Sequence, residues 1–271
     1  MRIGLVQLRT PATHLSALQH VTPLVREAAA GGAHLIATPE VTNIVQRDRA
    51  LLLPSLQTAD ADPVVMGLRA LAQSLKVWIL IGSALVRRAD DKVANRSFLV
   101  RPDGAVAATY DKIHMFDVDL PNGESVRESA AFEPGERLVT ARAMDAILGL
   151  TICYDLRFPA MHQSLARSGA EVMTVPSAFT RPTGEAHWRT LLRARAIETG
   201  SFVLAPAQGG LHEDGRATWG HSMVVGPWGE VLAQADHDEP AVVMADIDLL
   251  AVARARQAIP ALVNARAFTG P

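Results

Sequence analysis

The sequence predicts an α/β protein, and two of its features carry that prediction. Short runs rich in Val, Ile and Leu recur from end to end, several of them apolar at nearly every position, as strands are when a sheet is covered on both faces. Amphipathic stretches long enough for helices lie between them, so the two kinds of element alternate along the chain. Of the 271 residues, 49% are hydrophobic and 20% charged, enough apolar material for a core on each side of a sheet.

In chain order, RIGLVQL (2–8) reads as a strand, followed by a helix over roughly 13–30 and a strand at HLIAT (34–38). A second helix, roughly 61–75, leads into VWILIGSAL (77–85) and RSFLV (96–100). The turn residues of RPDGAV (101–106) then predict a hairpin into VAATYD (106–111). AILGLTIC (146–153), a helix over roughly 158–168, EVMTVPSA (171–178), a helix over roughly 184–199 and SFVLAPAQ (201–208) continue the alternation. HSMVVG (221–226) passes through a second hairpin at GPWGEV (226–231), and AVVMADID (241–248) precedes a last helix over roughly 248–258. The hairpins predict mixed rather than purely parallel sheets. Gly31, Gly169 and Gly200 follow three of the helices and are expected to end them by adopting positive φ. No repeat, low-complexity stretch or linker marks a boundary, so residues 1–271 are read as one domain.

The formal charge of −2 and a pI near 6.5 supply no general attraction for phosphate backbones, and no basic run supplies a local one, so nucleic acid is not an expected partner. MRIGLVQLRT lacks the regions of a signal peptide, and the longest apolar run stops at two arginines in VWILIGSALVRR. A cytoplasmic protein with no membrane segment is expected. The single cysteine, Cys153, excludes an intrachain disulfide and any multi-cysteine metal site.

Glu40 follows HLIATP, Lys112 follows VAATYD and Cys153 ends AILGLTI, so each lies just past the end of an apolar strand, where loops of α/β sheets converge. Taken singly, such a cysteine is usually an inert buried side chain, and such a lysine or glutamate a solvated charge. Context singles them out. Cys153 precedes Tyr-Asp-Leu-Arg-Phe-Pro and an amphipathic helix, so it sits on a strand-to-helix turn beside backbone N–H groups and a positive helix end, an arrangement expected to favour thiolate. Pro159 fits the start of that helix.

The segments TPE (38–40), YDKIHMFDV (110–118), RES (127–129), GLTICYDLRFP (149–159), PSAFTRPTGEAHW (176–188), LRARAIE (192–198) and GHSMVVGPWGEV (220–231) make the chain similar to the nitrilase, or carbon–nitrogen hydrolase, superfamily over nearly its whole length. The resemblance implies a four-layer αββα sandwich that assembles as a homodimer or larger homo-oligomer, through the helix after the nucleophile and the C-terminal region. It also implies Cys153 as nucleophile, Glu40 as general base and Lys112 as the positive group beside them. Glu128 is similar to the family's additional glutamate, which positions the lysine and the substrate.

In such a site Glu40 accepts the thiol proton, passes it to the departing amine and later activates water against the thioester, while Lys112 and the Tyr154 N–H hold the oxyanion. Ammonia leaves before water enters. Resemblance to short amidases acting on ω-amides of small carboxylic acids makes Arg157 and Thr183 candidate ligands for a substrate carboxylate; Arg157 has as its competing role a salt bridge to Asp155 or across a dimer interface. TGEAHWRTLLRARAIE and GHSMVVGPWG are most similar to the branch that acts on deaminated glutathione. Loops 115–127 and 207–218 are expected to line the pocket.

Other signals are weaker. Arg195 falls on the apolar helix face of Trp188, Leu191 and Leu192 and requires a buried carboxylate. His187 is expected in the pocket wall. The nine histidines form no HExxH or other local metal-ligand pair, and there is no GxGxxG or Walker-type loop, so neither a metal nor a nucleotide cofactor is expected. GHSMV around Ser222 lacks the closing glycine of a nucleophile elbow. Three readings compete with the Glu-Lys-Cys amidase: a Cys-His hydrolase using His114 or His221, the same triad acting on nitriles or N-carbamoyl groups, and a non-catalytic scaffold.

Overall fold

The computed structural model describes residues 1–90, 92–120, 123 and 125–270. The chain opens with β1 (Arg2–Gln7), α1 (His14–Ala30), β2 (Leu35–Ala37), α2 (Arg49–Ser55) and α3 (Pro63–Leu75). Three long strands follow, β3 (Trp78–Arg87), β4 (Val93–Val100) and β5 (Val106–Asp111), and then a small ribbon of β6 (Asp117–Asp119) and β7 (Ser125–Arg127). The second half runs through β8 (Val139–Ala143), β9 (Ala146–Leu150), α4 (Pro159–Arg167), β10 (Val172–Thr174), α5 (Arg181–Thr199) and β11 (Phe202–Ala205). A second ribbon, β12 (Gly209–Leu211) with β13 (Ala217–Trp219), precedes β14 (Met223–Val225), β15 (Val231–Gln234), β16 (Ala241–Asp246), α6 (Leu250–Ala258) and α7 (Ala261–Asn264).

Two six-stranded sheets form, in the orders β16-β1-β2-β3-β4-β5 and β8-β9-β10-β11-β14-β15. Both are mixed, and their pairings repeat: one antiparallel, two parallel, two antiparallel. Helices α1 and α3 cover the outer face of the first sheet, and α4 and α5 that of the second. The layers are therefore αββα.

Strand periodicity explains the near-continuous apolar runs. Ile3, Leu5, Leu35, Ala37 and Leu80 join the core shared with Leu148, Leu150 and Leu204 of the other sheet, whereas Val6, Ile36, Ile79 and Ile81 pack with Val21, Val25 and Leu68 of the helices. Each fully buried Val, Leu or Ile contributes about 2 kcal/mol relative to exposure. No helix among the described residues is long and apolar enough to cross a membrane.

The local signals of the sequence are mostly met. Asp62 caps α3 by accepting from the Val64 and Val65 N–H groups, with Pro63 in the first turn. α5 begins at Arg181, ahead of the expected start, because Pro182 sits in its first turn, where its missing N–H costs nothing. Gly169 and Gly200 do adopt positive φ, 94° and 56°, but Gly31 does not: its φ is −71°, and Gly32 takes the left-handed turn at 84°.

α4 carries His162 on its buried face. Burial, with a smaller opposing contribution from the Phe158 carbonyl 3.2 Å from Nδ1, holds its imidazole down to about 4, and its Nε2 has no partner among the described residues. The folded protein thus keeps His162 neutral where the unfolded chain protonates it, so stability is full above the unfolded pKa of 6.5 and falls as pH drops toward 4. Urea unfolding between pH 7 and 4.5 should show up to about 3 kcal/mol of acid-linked loss that His162→Leu lacks.

Candidate active site

Glu40 is presented by a tight turn after β2 that locks onto an irregularity in β3, where the register to β4 shifts between Ile81 and Ala84. Ser83 Oγ accepts from Val41 N–H at 2.8 Å, Thr38 Oγ1 accepts from Gly82 N–H at 3.1 Å, and the Thr42 N–H donates to the Ser83 carbonyl at 2.8 Å. A Cβ on Gly82 would lie 1.9 Å from the Thr38 carbonyl oxygen and 2.5 Å from Pro176 Cβ, so only glycine permits this approach. Val41 is held at φ 51°, a left-handed conformation costing a β-branched residue about 1–3 kcal/mol, which the surrounding hydrogen bonds offset.

Lys112 follows β5 and is fixed through its backbone: its N–H donates to the Asn95 carbonyl at 2.9 Å, and its carbonyl accepts from Gly135 at 2.8 Å. Its side chain is 2% exposed and donates to Glu40 Oε1 at 2.9 Å and to Glu128 Oε1 and Oε2 at 3.0 and 2.8 Å. Asn95 Nδ2 also bridges the two carboxylates, at 3.0 Å to Glu40 and 3.3 Å to Glu128, and the Phe116 N–H donates to Glu128 at 2.6 Å. Burial opposes the Lys112 ammonium, but Glu128 and Glu40 together outweigh it and hold its pKa well above the ordinary lysine value.

Cys153 lies just past β9, tied by its N–H to the Pro176 carbonyl at 2.9 Å. The backbone turns there at φ 49° into a 3-10 helix, Cys153–Arg157, and Pro159 then opens α4. Its thiol is 7% exposed beside Glu40, Lys112 and the Ala178 N–H. The expected thiolate is corrected here: burial first, and the Glu40 carboxylate next, push the thiol well above its usual range, and Lys112 only partly opposes them.

These four side chains line the floor of a cavity of about 440 Å³. Tyr154, Arg157 and Thr183 line it as well. Asp155 is not the partner of Arg157, because its carboxylate is taken up by Tyr110, His114 and the Ile152 N–H. The Arg157 guanidinium instead lies 5.3 Å from the Phe179 ring centroid and 5.9 Å from that of Tyr154, with Nη1 3.3 Å from His187 Nδ1. His187 itself is exposed and outside the wall, so its expected place is corrected to a contact of Arg157. Thr183 Oγ1 shares a hydrogen bond with Thr180 Oγ1 at 2.8 Å.

The expected loops reach the cavity through Phe116, Ser125, Val126 and Arg127, and through Arg216; residues 121, 122 and 124 of the first lie outside the described residues. Among the wall residues that escaped the sequence reading are Asn95, Arg47 and Arg49. The signal for Asn95 was a polar residue facing the end of β5, one register step from the Arg96–Asp111 pair. His114 is bonded to Asp155 and His221 to the Trp219 carbonyl, and neither lines the cavity. Arg195 finds Glu198 at 3.0 Å and the Leu156 carbonyl at 2.8 Å, and Ser222 is buried with its hydroxyl accepting from the Ala207 N–H.

The chain matches the carbon-nitrogen hydrolase family model over residues 2–257. It is 40% identical over 238 residues to a deaminated glutathione amidase of Yersinia enterocolitica, covering 87% of this chain and 82% of that one. The Homo sapiens deaminated glutathione amidase is 41% identical over 248 residues, covering 90% of this chain and 75% of its own length. Among solved structures, a Saccharomyces cerevisiae member of branch 10 of the nitrilase superfamily superimposes with a TM-score of 0.86 at 27% identity, covering 96% of this chain and 94% of the other.

Removing the ammonium would leave Glu40 and Glu128 facing each other in a buried site. Lys112→Met should therefore lose about 3–5 kcal/mol at pH 7, as read from urea midpoints.

Proposed function

The chain belongs to the carbon–nitrogen hydrolase family and is an amidase; from that premise we propose that Cys153 is its nucleophile, Glu40 its general acid and base, and Lys112 and Glu128 the charged pair that supports both. The observation that carries this reading is that thiol, ammonium and carboxylate line the same cavity.

The floor already holds two carboxylates against one ammonium, so a thiolate can form only as its proton moves to Glu40, keeping the net charge constant. The sulfur then attacks the amide carbon. Lys112 Nζ and the Tyr154 N–H hold the oxyanion, the C–N bond breaks as Glu40 gives its proton to the nitrogen, and the amine departs from a thioester. Water next yields a proton to Glu40 and attacks the thioester, and the C–S bond breaks as that proton returns to sulfur.

The walls support a small amide bearing a carboxylate. Among the described residues Arg157, Arg47 and Arg49 have no carboxylate within salt-bridge distance, whereas Arg127 is paired with Asp119 and Arg216 with Asp214. We therefore take the substrate to resemble deaminated glutathione or an ω-amide, with Arg157 and Thr183 holding its carboxylate. Residues 1–271 act in this reading as one domain, since both sheets furnish the cavity, and the unpaired reduced thiol suits the cytoplasm. Val263 and Phe268, 83% and 93% exposed beyond α6, support a homodimer paired through the C-terminal region.

Three measurements test these points. Cys153→Ala should fold and show no turnover in a screen of ω-amides, deaminated glutathione, nitriles and N-carbamoyl amino acids, while the parent protein gains an acyl mass on Cys153; a substantially active Cys153→Ala would refute the assignment. Arg157→Leu should raise KM for a carboxylate-bearing amide by about 10- to 100-fold with a smaller change in kcat. Light scattering should return twice the 29.0 kDa chain mass.

A further inference from the structure

Cys153 and Lys112 come from different sheets, so their separation depends on whatever joins β9 to β5 at this end of the sandwich. Two residues after Cys153, the Asp155 carboxylate is 0% exposed and accepts four hydrogen bonds. Oδ2 takes the Tyr110 hydroxyl at 2.7 Å and the Ile152 N–H at 2.9 Å; Oδ1 takes the His114 N–H at 3.1 Å and lies 2.7 Å from His114 Nδ1. Tyr110 in turn accepts the Ile113 N–H at 3.1 Å. The residues on both sides of Lys112 are thus held by one carboxylate of the nucleophile's own turn.

We propose that Asp155 is a positioning residue: it fixes the Lys112 strand end against the Cys153 turn and holds Cys153 in its left-handed conformation. The proposal rests on Cys153 being the nucleophile. A buried carboxylate is costly unless fully hydrogen-bonded, and here every donor it meets belongs to the Cys153 turn or to residues flanking Lys112. The bond to the Ile152 N–H fixes the residue before Cys153, whose φ of 49° is populated only where several contacts impose it. Burial, reinforced by the Asp155 charge, keeps the Tyr110 hydroxyl protonated, so it stays a donor across the working pH range.

Asp155→Asn tests this without changing volume. However the new amide is turned, its NH2 meets a backbone N–H, so either the Ile152 contact that holds the Cys153 turn or the His114 contact that ties it to the Lys112 strand end is lost. The expected result is a folded protein with kcat down about 100-fold and KM changed by less than about threefold. Alkylation of Cys153 by iodoacetamide at pH 8, per folded molecule, should slow by about tenfold as the lysine loses its register with the sulfur. Tyr110→Phe, which removes one donor and little volume, should move both readouts in the same direction by a smaller factor, and serves if Asp155→Asn does not fold. Activity lost only in proportion to the unfolded fraction, or alkylation that is unchanged or faster in both variants, would overturn the proposal. Turnover by Cys153→Ala would instead strike the nucleophile assignment, which the alkylation readout does not use.

Discussion

Everything at the site depends on one buried ammonium shared between two carboxylates. Lys112 holds Glu40 and Glu128 in a buried space, and without it the two carboxylates would face each other with no counter-charge. The excess of one negative charge then dictates how the sulfur behaves. Burial and the Glu40 carboxylate push the Cys153 thiol up, and in the proposed mechanism Glu40 stands beside it to accept its proton. Activation, so proposed, is a proton transfer inside the site rather than a standing ionisation.

The fold builds this floor from two sheets of one pairing pattern, facing each other so that their strand ends open on the same crevice. Glu40 comes from one sheet and Cys153 from the other, both on turns with a non-glycine residue at positive φ: Val41 next to Glu40, and Cys153 itself. Such turns relax unless they are overdetermined. The Ser83 and Thr38 bonds perform that task for Glu40, and the close approach at Gly82 packs the Glu40 turn against Pro176, whose carbonyl holds the Cys153 N–H. The two strained turns brace one another across the sheet interface.

Much of this was legible in the sequence, because burial on both faces writes itself as continuous apolar runs and every such run became a strand. The elements that went unread are short or half-exposed: β8 alternates half-buried and exposed positions, and α2, α7 and the two ribbons β6–β7 and β12–β13 span too few residues to show a period. The three reactive types were visible through their places after strands, but the state of the thiol was not, since a pKa is set by burial and by charges brought in from distant segments. Asn95 was hidden for the same reason: nothing local distinguishes a polar residue bridging two carboxylates from one facing solvent. His187 was misplaced because helix spacing near Trp188 does not say which neighbour lies over the cavity.

The charge of the floor also orients what enters. A carboxylate-bearing substrate directed inward would meet Glu40 and Glu128, and at the few ångströms available that repulsion outweighs any single hydrogen bond. The arginines belong to the cavity wall, and three of them have no carboxylate partner among the described residues. Under the proposed function, the acid group would face outward on guanidinium and the neutral amide carbonyl inward toward Lys112 and Cys153. In that reading, selection for charge and delivery of the scissile bond to sulfur both begin with the pairing of one lysine to two glutamates.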